Sequence, residues 1–517
     1  VSKSVVNSAS TKIKLFGQKK YPYFSTAHLL PQFGIAVIVG LILGLTALAL
    51  PLGAVPGVLA VFLSVYIVLK RPELALVGIL VLTSSILFED QMPRISFGVS
   101  FHLSDLLLFG MLGVILVRLV VEKDFRLVRT PLDTPLWLFI GITILSTLIA
   151  VFQSSVEAEL ARRSIRVFSY YLTFFILTQL VREPRQLKLL LFSILTIAIV
   201  VAMAMVAQFI LGDSVQILPG RVEALVTQNT SYDDITRILP PGWSTVMISF
   251  MVIVCLFAIE KSPLRASFNL ILLLVFGIAL ILTFLRSFWG ALMVVTALLF
   301  FLLNNNERAR FIVATLTLAS LGAIILLIVF VDPESRAARL VLASTDRLAT
   351  LGETETFQGG DSSLNWRLIE NEYAYAAIAQ HPMIGLGMGT PYRPLDFRLD
   401  YRNADGTITN GSSFIHNGHL RIMLQSGLVG YLSLVWLSGL FLSRGFKFWR
   451  NLTDDRMKAV VLGSLLVYLA IIIAAVANST FMQWRWTPLL GMIYGVNEVI
   501  YRFYLPAYEP LAADHTN

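Results

Sequence analysis

Charge is scarce in this chain. Only 14% of its 517 residues are Asp, Glu, Lys or Arg, against about 25% in an ordinary soluble domain. Together with 56% hydrophobic residues and a mean hydropathy of +0.76, so little charge means that much of the surface faces lipid. A soluble enzyme is excluded. So are a disordered chain and a nucleic-acid-binding protein, although 40 Lys+Arg outnumber 32 Asp+Glu. Cysteine is nearly absent. The single Cys255 sits in an apolar run, which rules out an intramolecular disulfide and a cysteine-based metal site. The six histidines, at 28, 102, 381, 416, 419 and 515, are too scattered for a zinc motif. The basic, polar first 30 residues show neither a signal-peptide apolar core nor a small-residue cleavage site, so no cleavage is expected.

Long apolar runs are abundant. A bilayer core takes roughly 20 apolar residues as helix. Fourteen runs are read, at 34–50, 52–69, 73–88, 103–121, 133–152, 167–181, 187–211, 242–259, 267–284, 287–303, 311–331, 418–443, 459–480 and 486–501. The third and sixth are short, and only Leu285–Arg286 divides the ninth from the tenth. The expected fold class is an all-α polytopic membrane protein of about 12–14 transmembrane helices, with a large extracytoplasmic loop that contains helices. Its expected parts are a basic cytoplasmic N-terminal segment (1–33), transmembrane helices 1–11 (34–331), the large loop (332–417), transmembrane helices 12–14 (418–503) and a cytoplasmic tail (504–517).

Loop charge sets the orientation. With fourteen spans and the N-terminus inside, all eleven lysines (3, 12, 14, 19, 20, 70, 123, 188, 261, 447 and 458) fall on the inner side, with thirteen arginines. The outer side holds sixteen arginines and no lysine. Basic residues favour the cytoplasmic side, so both termini are expected there. Two outer loops are long. The one at 212–241 is marked by Pro219, Gly220, Pro240, Pro241 and Gly242. In the other, Leu364, Leu368, Ile369, Ala376 and Ala379 fall near helical spacing. They predict a helix over 364–379, capped by Asp361, Ser362 or Ser363 and ended by His381-Pro382. Gly385, Gly387 and Gly389 then mark a tight irregular turn. No strand precedes it, so no dinucleotide or P-loop site is read there.

An outer side rich in arginine and empty of lysine needs a reason. Arginine's planar fork grips phosphate or carboxylate oxygens in pairs. Arg286 lies in LTFLRSFWGAL, between two apolar helices. It either snorkels to the headgroups or faces a polar cavity and binds an anion. Arg162, Arg163 and Arg166 cluster near the outer start of the sixth run, where Glu159, four residues before Arg163, offers an ordinary helix ion pair. Arg367 is followed three and four residues on by Glu370 and Asn371 and reads equally well as a surface salt bridge. Arg421 opens the twelfth run, where snorkelling is again the alternative. His416 stands in SSFIHNGHLRIMLQSGLVGYL, with Ser412 or Ser413 available to cap the following helix. It is either a helix-start residue or a general base on the same side as Arg286 and Arg367. His419, one turn on, is its local competitor, and His381, before a proline, reads as a turn residue.

The stretch from His416 to Gly430 resembles a signature of the O-antigen ligase and polymerase superfamily. That signature is His-Asn, nine residues, Gly, two residues, then Gly, Thr or Tyr. Here His416-Asn417 is followed by nine residues and then Gly427, Leu428, Val429 and Gly430. Arg367 followed by Pro382-Met383-Ile384-Gly385-Leu386-Gly387 resembles the family's arginine helix closing on P-x-x-G-x-G. Leu282-Thr283…Arg286 resembles its L-T-x-S-R helix end, with Leu285 in place of the usual serine. A large outer loop before a late helix fits the same layout.

The resemblance implies a GT-C-like glycosyltransferase of the bacterial inner membrane. Such an enzyme moves a glycan from an undecaprenyl-pyrophosphate carrier to an acceptor hydroxyl, on a lipid A core sugar or similar, at the extracytoplasmic face. The implied partners are that donor, a glycan or glycolipid acceptor and the lipid bilayer, with no nucleic acid. His416 becomes the catalytic residue, and Arg286, Arg367 and Arg163 the donor pyrophosphate ligands. Asn417, Gly427, Gly430, Pro382, Gly385 and Gly387 carry motif and structural roles. Arginines can stabilise a leaving pyrophosphate without a metal, and the outer loops lack a D-x-D motif. No cofactor and no metal ligand is therefore expected, although Asp233-Asp234 leave a divalent ion open. An O-antigen or polysaccharide polymerase would use the same donor. The superfamily also includes protein O-glycosylating enzymes and proteins proposed as bicarbonate transporters. An anion transporter wants charged or helix-breaking residues at midspan, whereas most runs here are apolar through the middle. A non-catalytic assembly scaffold leaves His416 and the outer arginines without a reason.

Overall fold

A computed structural model of the protein describes residues 70–85, 95–96, 100–212, 215–226, 231–349, 362–398 and 412–506, all within the compact unit Tyr66–Asn517. The first two expected spans, the segment 1–33, Asp361, His28, His515 and the tail beyond 506 lie outside the described residues.

The protein is an all-α polytopic membrane protein. Its helices are α1 (Pro72–Thr83), α2 (Leu103–Val121), α3 (Asp133–Phe152), α4 (Ala158–Ser169), α5 (Thr173–Leu180), α6 (Pro184–Leu211), α7 (Trp243–Ile259), α8 (Pro263–Ile281), α9 (Arg286–Leu302), α10 (Asn305–Val329), α11 (Arg336–Ala349), α12 (Ser362–Gln380), α13 (Gly418–Phe448), α14 (Asp455–Ala474) and α15 (Thr487–Tyr504). Among the described residues, α2, α3, α6, α10, α13 and α14 are long and apolar enough to cross a bilayer, and α1, α7, α8 and α9 are shorter apolar helices. The helices start where the sequence provides for it. α1, α6 and α8 open on prolines, whose fixed φ and missing N–H suit a first turn. Asn304 and Glu307 form a reciprocal cap on α10.

Three segments differ from the expectation. The sixth run is the end of a longer helical stretch, α4, a 3-10 turn at Tyr170–Leu172, then α5. α4 is amphipathic, burying Ala161 and Phe168 while carrying Arg162, Arg163 and Arg166, so a search for apolar runs passes over it. The large loop holds two helices, α11 as well as α12. The 212–241 loop contains an antiparallel hairpin, β1 (Arg221–Val226) and β2 (Ser231–Leu239), with Arg221 opposite Leu239. Leu225 and Ile235 of this hairpin pack with Ala343 of α11 and with Phe284.

Inside the bundle, small residues let helices approach closely, as membrane packing favours. A Cβ on Gly463 of α14 would stand 2.6 Å from Val252 of α7. Polar side chains pair rather than stand alone. Tyr468 takes Ser438 at 2.6 Å and Tyr494 at 2.8 Å, and Arg444 holds Glu498 through two bonds of 3.0 Å.

Bonds at the helix ends sort the bundle into two faces. On one, Gln179 bonds Val128 on both sides at 2.8 Å. On the same face Arg502 donates to the Thr178 carbonyl at 3.1 Å, the Thr453 N–H to Tyr504 at 3.0 Å, and Arg450 to Leu302. Gln186 joins α6 to Glu73 of α1 there, at 3.2 Å. Lys70, Lys123, Lys188, Lys261, Lys447 and Lys458 all belong to helix ends of this face. The opposite face carries the hairpin, α4, α11, α12 and the segment leading into α13.

Candidate active site

The turn after α12 meets α13 at an interruption in that helix. Gly427 has φ +65° and ψ −170° inside the helix, which opens its ladder. Four of the freed groups are taken by the turn after α12. The N–H of Leu386 donates to Leu424 O at 2.8 Å and that of Gly387 to Gln425 O at 3.0 Å. In the other direction, the N–H of Leu428 donates to Pro382 O at 2.7 Å and that of Val429 to Met383 O at 3.2 Å. Such a crossing needs glycine. Gly385 and Gly387 have φ of +77° and +85°, and a Cβ on Gly385 would stand 2.6 Å from the Gly427 nitrogen. Gly387 lies as tightly against Ala150, Ser146 and Thr147 of α3. Gly430, one turn past the break, packs on Ser426. P-x-x-G-x-G and the two glycines after the histidine are thus two halves of one joint.

The same joint positions His416. Asn417 caps α13, its side-chain oxygen accepting from the N–H groups of His419 and Leu420 at 3.1 Å each. The cap is therefore Asn417, not Ser412 or Ser413, because an Asx side chain directly before the first turn is in reach of those donors. Glu370, on α12, is fully buried and turned toward the segment before this cap. Its Oε2 accepts the His416 backbone N–H at 2.9 Å and lies 2.9 Å from His416 Nδ1. Its Oε1 accepts from Trp366 Nε1 at 2.8 Å and lies 3.7 Å from Arg393. All these neighbours are donors. A carboxylate only accepts, so in the neutral ring Nδ1 carries the proton and Nε2 keeps its lone pair. The His416 side chain is 37% exposed above a Glu370 side chain that is 1% exposed. Phe414 meets the ring edge-on, with centroids 4.9 Å apart.

His419 is differently employed. Its Nε2 bonds Ile472 O at 3.0 Å and its Nδ1 faces the Tyr431 hydroxyl at 3.4 Å, so it ties α13 to α14. Arg367 is half-buried on α12, three residues before Glu370.

Arg286 opens α9 after a sharp break from α8. Phe284 takes φ +50°, rare for a bulky side chain, and is buried. The carbonyls released at the end of α8 find donors, Trp289 Nε1 to Leu280 at 2.9 Å, the Ile238 N–H to Leu282 at 3.0 Å and Arg237 to Thr283 at 3.2 Å. Ser287, the next residue after Arg286, accepts from Asn478 at 2.6 Å. The Asn478 carbonyl in turn lies against Gly418, two residues after His416. Arg286 and His416 therefore belong to one face, linked through Asn478.

Arg163 is bound locally. Its Nε donates to Glu159 at 2.9 Å, and Arg162 grips the same carboxylate at 2.7 and 2.8 Å. These two arginines hold the Glu159 carboxyl down at about 2. Arg166 is committed to buried Asp105 at 2.7 and 2.8 Å. α4 nonetheless flanks the joint, since Gly389 packs on Leu160, Val156 and Ser164.

Residues 270–435 match the O-antigen ligase family. That stretch is similar to the O-antigen ligase family's domain. No curated protein matches the chain at a significant level. The matched domain takes in Arg286, Arg367, the glycine joint and His416, while Arg163 lies before it.

Several residues at this site carry no sequence signal of their own. Glu370 was legible only as a helix neighbour of Arg367, because its partner lies 46 residues away. Arg393 is buried beside it. Arg421 donates to Ser479 at 3.0 Å, while its buried Nε has no hydrogen-bond partner. Arg485, between α14 and α15, is pushed down from its ordinary value by burial. Its one signal was membership of the lysine-free outer set. Among the described residues no three His, Cys, Asp or Glu side chains converge as metal ligands.

Proposed function

We propose that this protein is a glycosyltransferase. It would transfer a glycan from an undecaprenyl-pyrophosphate carrier to an acceptor hydroxyl, such as that of a lipid A core sugar, at the extracytoplasmic face of the bacterial inner membrane. The observation that carries the reading is the His416–Glu370 pair. A buried carboxylate fixes Nδ1 as donor and leaves Nε2, on an exposed ring, as the free base. The acceptor O–H gives its proton to Nε2 while its oxygen bonds the anomeric carbon. The bond from that carbon to the pyrophosphate oxygen breaks, and its electron pair leaves with the lipid pyrophosphate. Arg286 and Arg367 hold the departing charge, with Arg163 at the edge of the site. Aligned donors at developing charge commonly supply a large part of such catalysis, and a positioned base contributes about 10²–10⁴-fold.

The test is a transfer assay on the purified full chain in lipid, with undecaprenyl-pyrophosphate glycan, candidate acceptors and EDTA. Wild type should transfer, and His416→Ala should lose at least about 10²-fold while inserting normally. The productive acceptor separates a ligase from a polymerase. Undiminished transfer by His416→Ala would remove the base assignment. Anion uptake by the same vesicles without transfer would replace the enzyme with a transporter.

A further inference from the structure

The face opposite His416 carries a second polar site. A cavity of about 590 Å³ opens where α10 and α14 begin beside the α7–α8 connection, lined by Lys261, Asn304, Glu307, Arg310, Asp455 and Lys458 among others. That volume lies within the roughly 300–1,000 Å³ of small-ligand sites. All three of its cations are drawn to the Asp455 carboxylate, Arg310 without a hydrogen bond to it. Lys458 stands 2.9 Å from the Asp455 carboxylate and Lys261 4.0 Å. Glu307 is used by its own helix, where it accepts the Asn304 N–H at 2.9 Å. Arg310 is different. Its Nε is buried with no hydrogen-bond partner, and an unmet buried donor costs free energy that a bound anion relieves.

The surroundings point to the source of that anion. On α10 only Ala314 is buried. Ile312, Val313 and Leu316, just beyond Arg310, are 44%, 62% and 61% exposed, and Phe301 at the end of α9 is 71% exposed. A small soluble anion gains nothing from that apolar surface, whereas acyl chains cover it. The face also bears all six described lysines, the side where anionic lipids are drawn to basic pockets between helices. We propose that this cleft holds the phosphate of an anionic membrane lipid, bound by Arg310 and Lys458, with its acyl chains along α10. Lys261, 77% exposed, can turn from Asp455 to a second phosphate oxygen. The site is independent of glycan transfer.

Purified full-length protein in detergent micelles would be titrated with dioleoyl phosphatidylglycerol, dioleoyl phosphatidylcholine or inorganic phosphate, and bound lipid counted by native mass spectrometry. Phosphatidylglycerol should be retained in preference to phosphatidylcholine. Arg310→Gln should weaken retention roughly fivefold, the effect of one cation near a membrane surface, and Arg310→Lys less. Equal retention by wild type and Arg310→Gln overturns the site. Displacement of the lipid by millimolar inorganic phosphate would assign the cleft to a soluble anion and overturn the lipid. Melting of each variant without lipid checks its fold, and Lys458→Gln serves if Arg310→Gln fails to fold.

Discussion

His416 is legible in the sequence because its neighbours are, Asn417 at its side and glycines eleven and fourteen residues on. What makes it a usable base is not legible, since Glu370 reaches it only through the packing of α12 on the start of α13. Glu370→Gln tests that contribution. An amide in this position can turn its NH₂ toward Nδ1, which favours the wrong tautomer and puts the proton on Nε2. Transfer should fall by about 10²-fold or more, and the rising limb of the pH–rate profile should move, while melting changes little. A merely structural Glu370 would lower melting and leave the pH profile in place. Glu370→Asp should restore part of the rate. At Arg286 the issue is geometry rather than charge. Arg286→Ala should abolish transfer and Arg286→Lys should recover only a fraction, because an ammonium cannot bind two phosphate oxygens side by side. Full activity in Arg286→Ala would make this residue a headgroup anchor.

At the scale of elements, apolar runs locate the spans well and their ends poorly. The run at 103–121 matches α2, whereas α4 and α11 were missed because their charges interrupt the run, and the β1–β2 hairpin because prolines and glycines flank it. The glycine motifs were recognised as a pattern, but their mutual contact was not, because nothing local tells that a turn at 382–387 fills a gap opened at 427. Gly427→Ala should be the most damaging of these changes. Its Cβ would meet the Met383 carbonyl, and its φ of +65° disfavours any L side chain. We expect a loss of about 1–3 kcal/mol, read as a lower melting temperature, together with loss of transfer. Gly430→Ala meets only the Ser426 side chain and should be milder. Beyond the turn, Asp396 anchors the chain through Tyr373 at 2.9 Å and Arg398 at 2.7 Å. Arg398 beside it holds the Asp396 carboxyl well below its ordinary value. A depressed folded value means that this stabilisation is whole above the ordinary carboxylate range and is lost only as pH falls through the depressed one. Hydrogen exchange around 396–398, corrected for intrinsic rates, should therefore stay level from neutral pH to mildly acidic pH, and Asp396→Asn should raise it at neutral pH.

The whole molecule is polarised by its cations, with described lysines on one face and His416, Arg286, Arg367, Arg421 and Arg485 on the other. This division was visible in the sequence as a count, and the helix-end bonds give it a physical form. The preference of lysine and arginine for cytoplasmic loops predicts its direction relative to the cell, which direct measurement tests. Cys255 is the single cysteine of the chain and is buried, so Cys255→Ala should provide a folded background without reactive thiols. On it, Phe397→Cys reports on the His416 face from a position 98% exposed, and Lys123→Cys reports on the exposed connection between α2 and α3. A membrane-impermeant maleimide added to spheroplasts should label Phe397→Cys at once and Lys123→Cys only after permeabilisation. The opposite pattern would put His416 in the cytoplasm and remove an extracytoplasmic glycan as its substrate. It would also place the Arg310 cleft in the outer leaflet, so one labelling experiment constrains both faces.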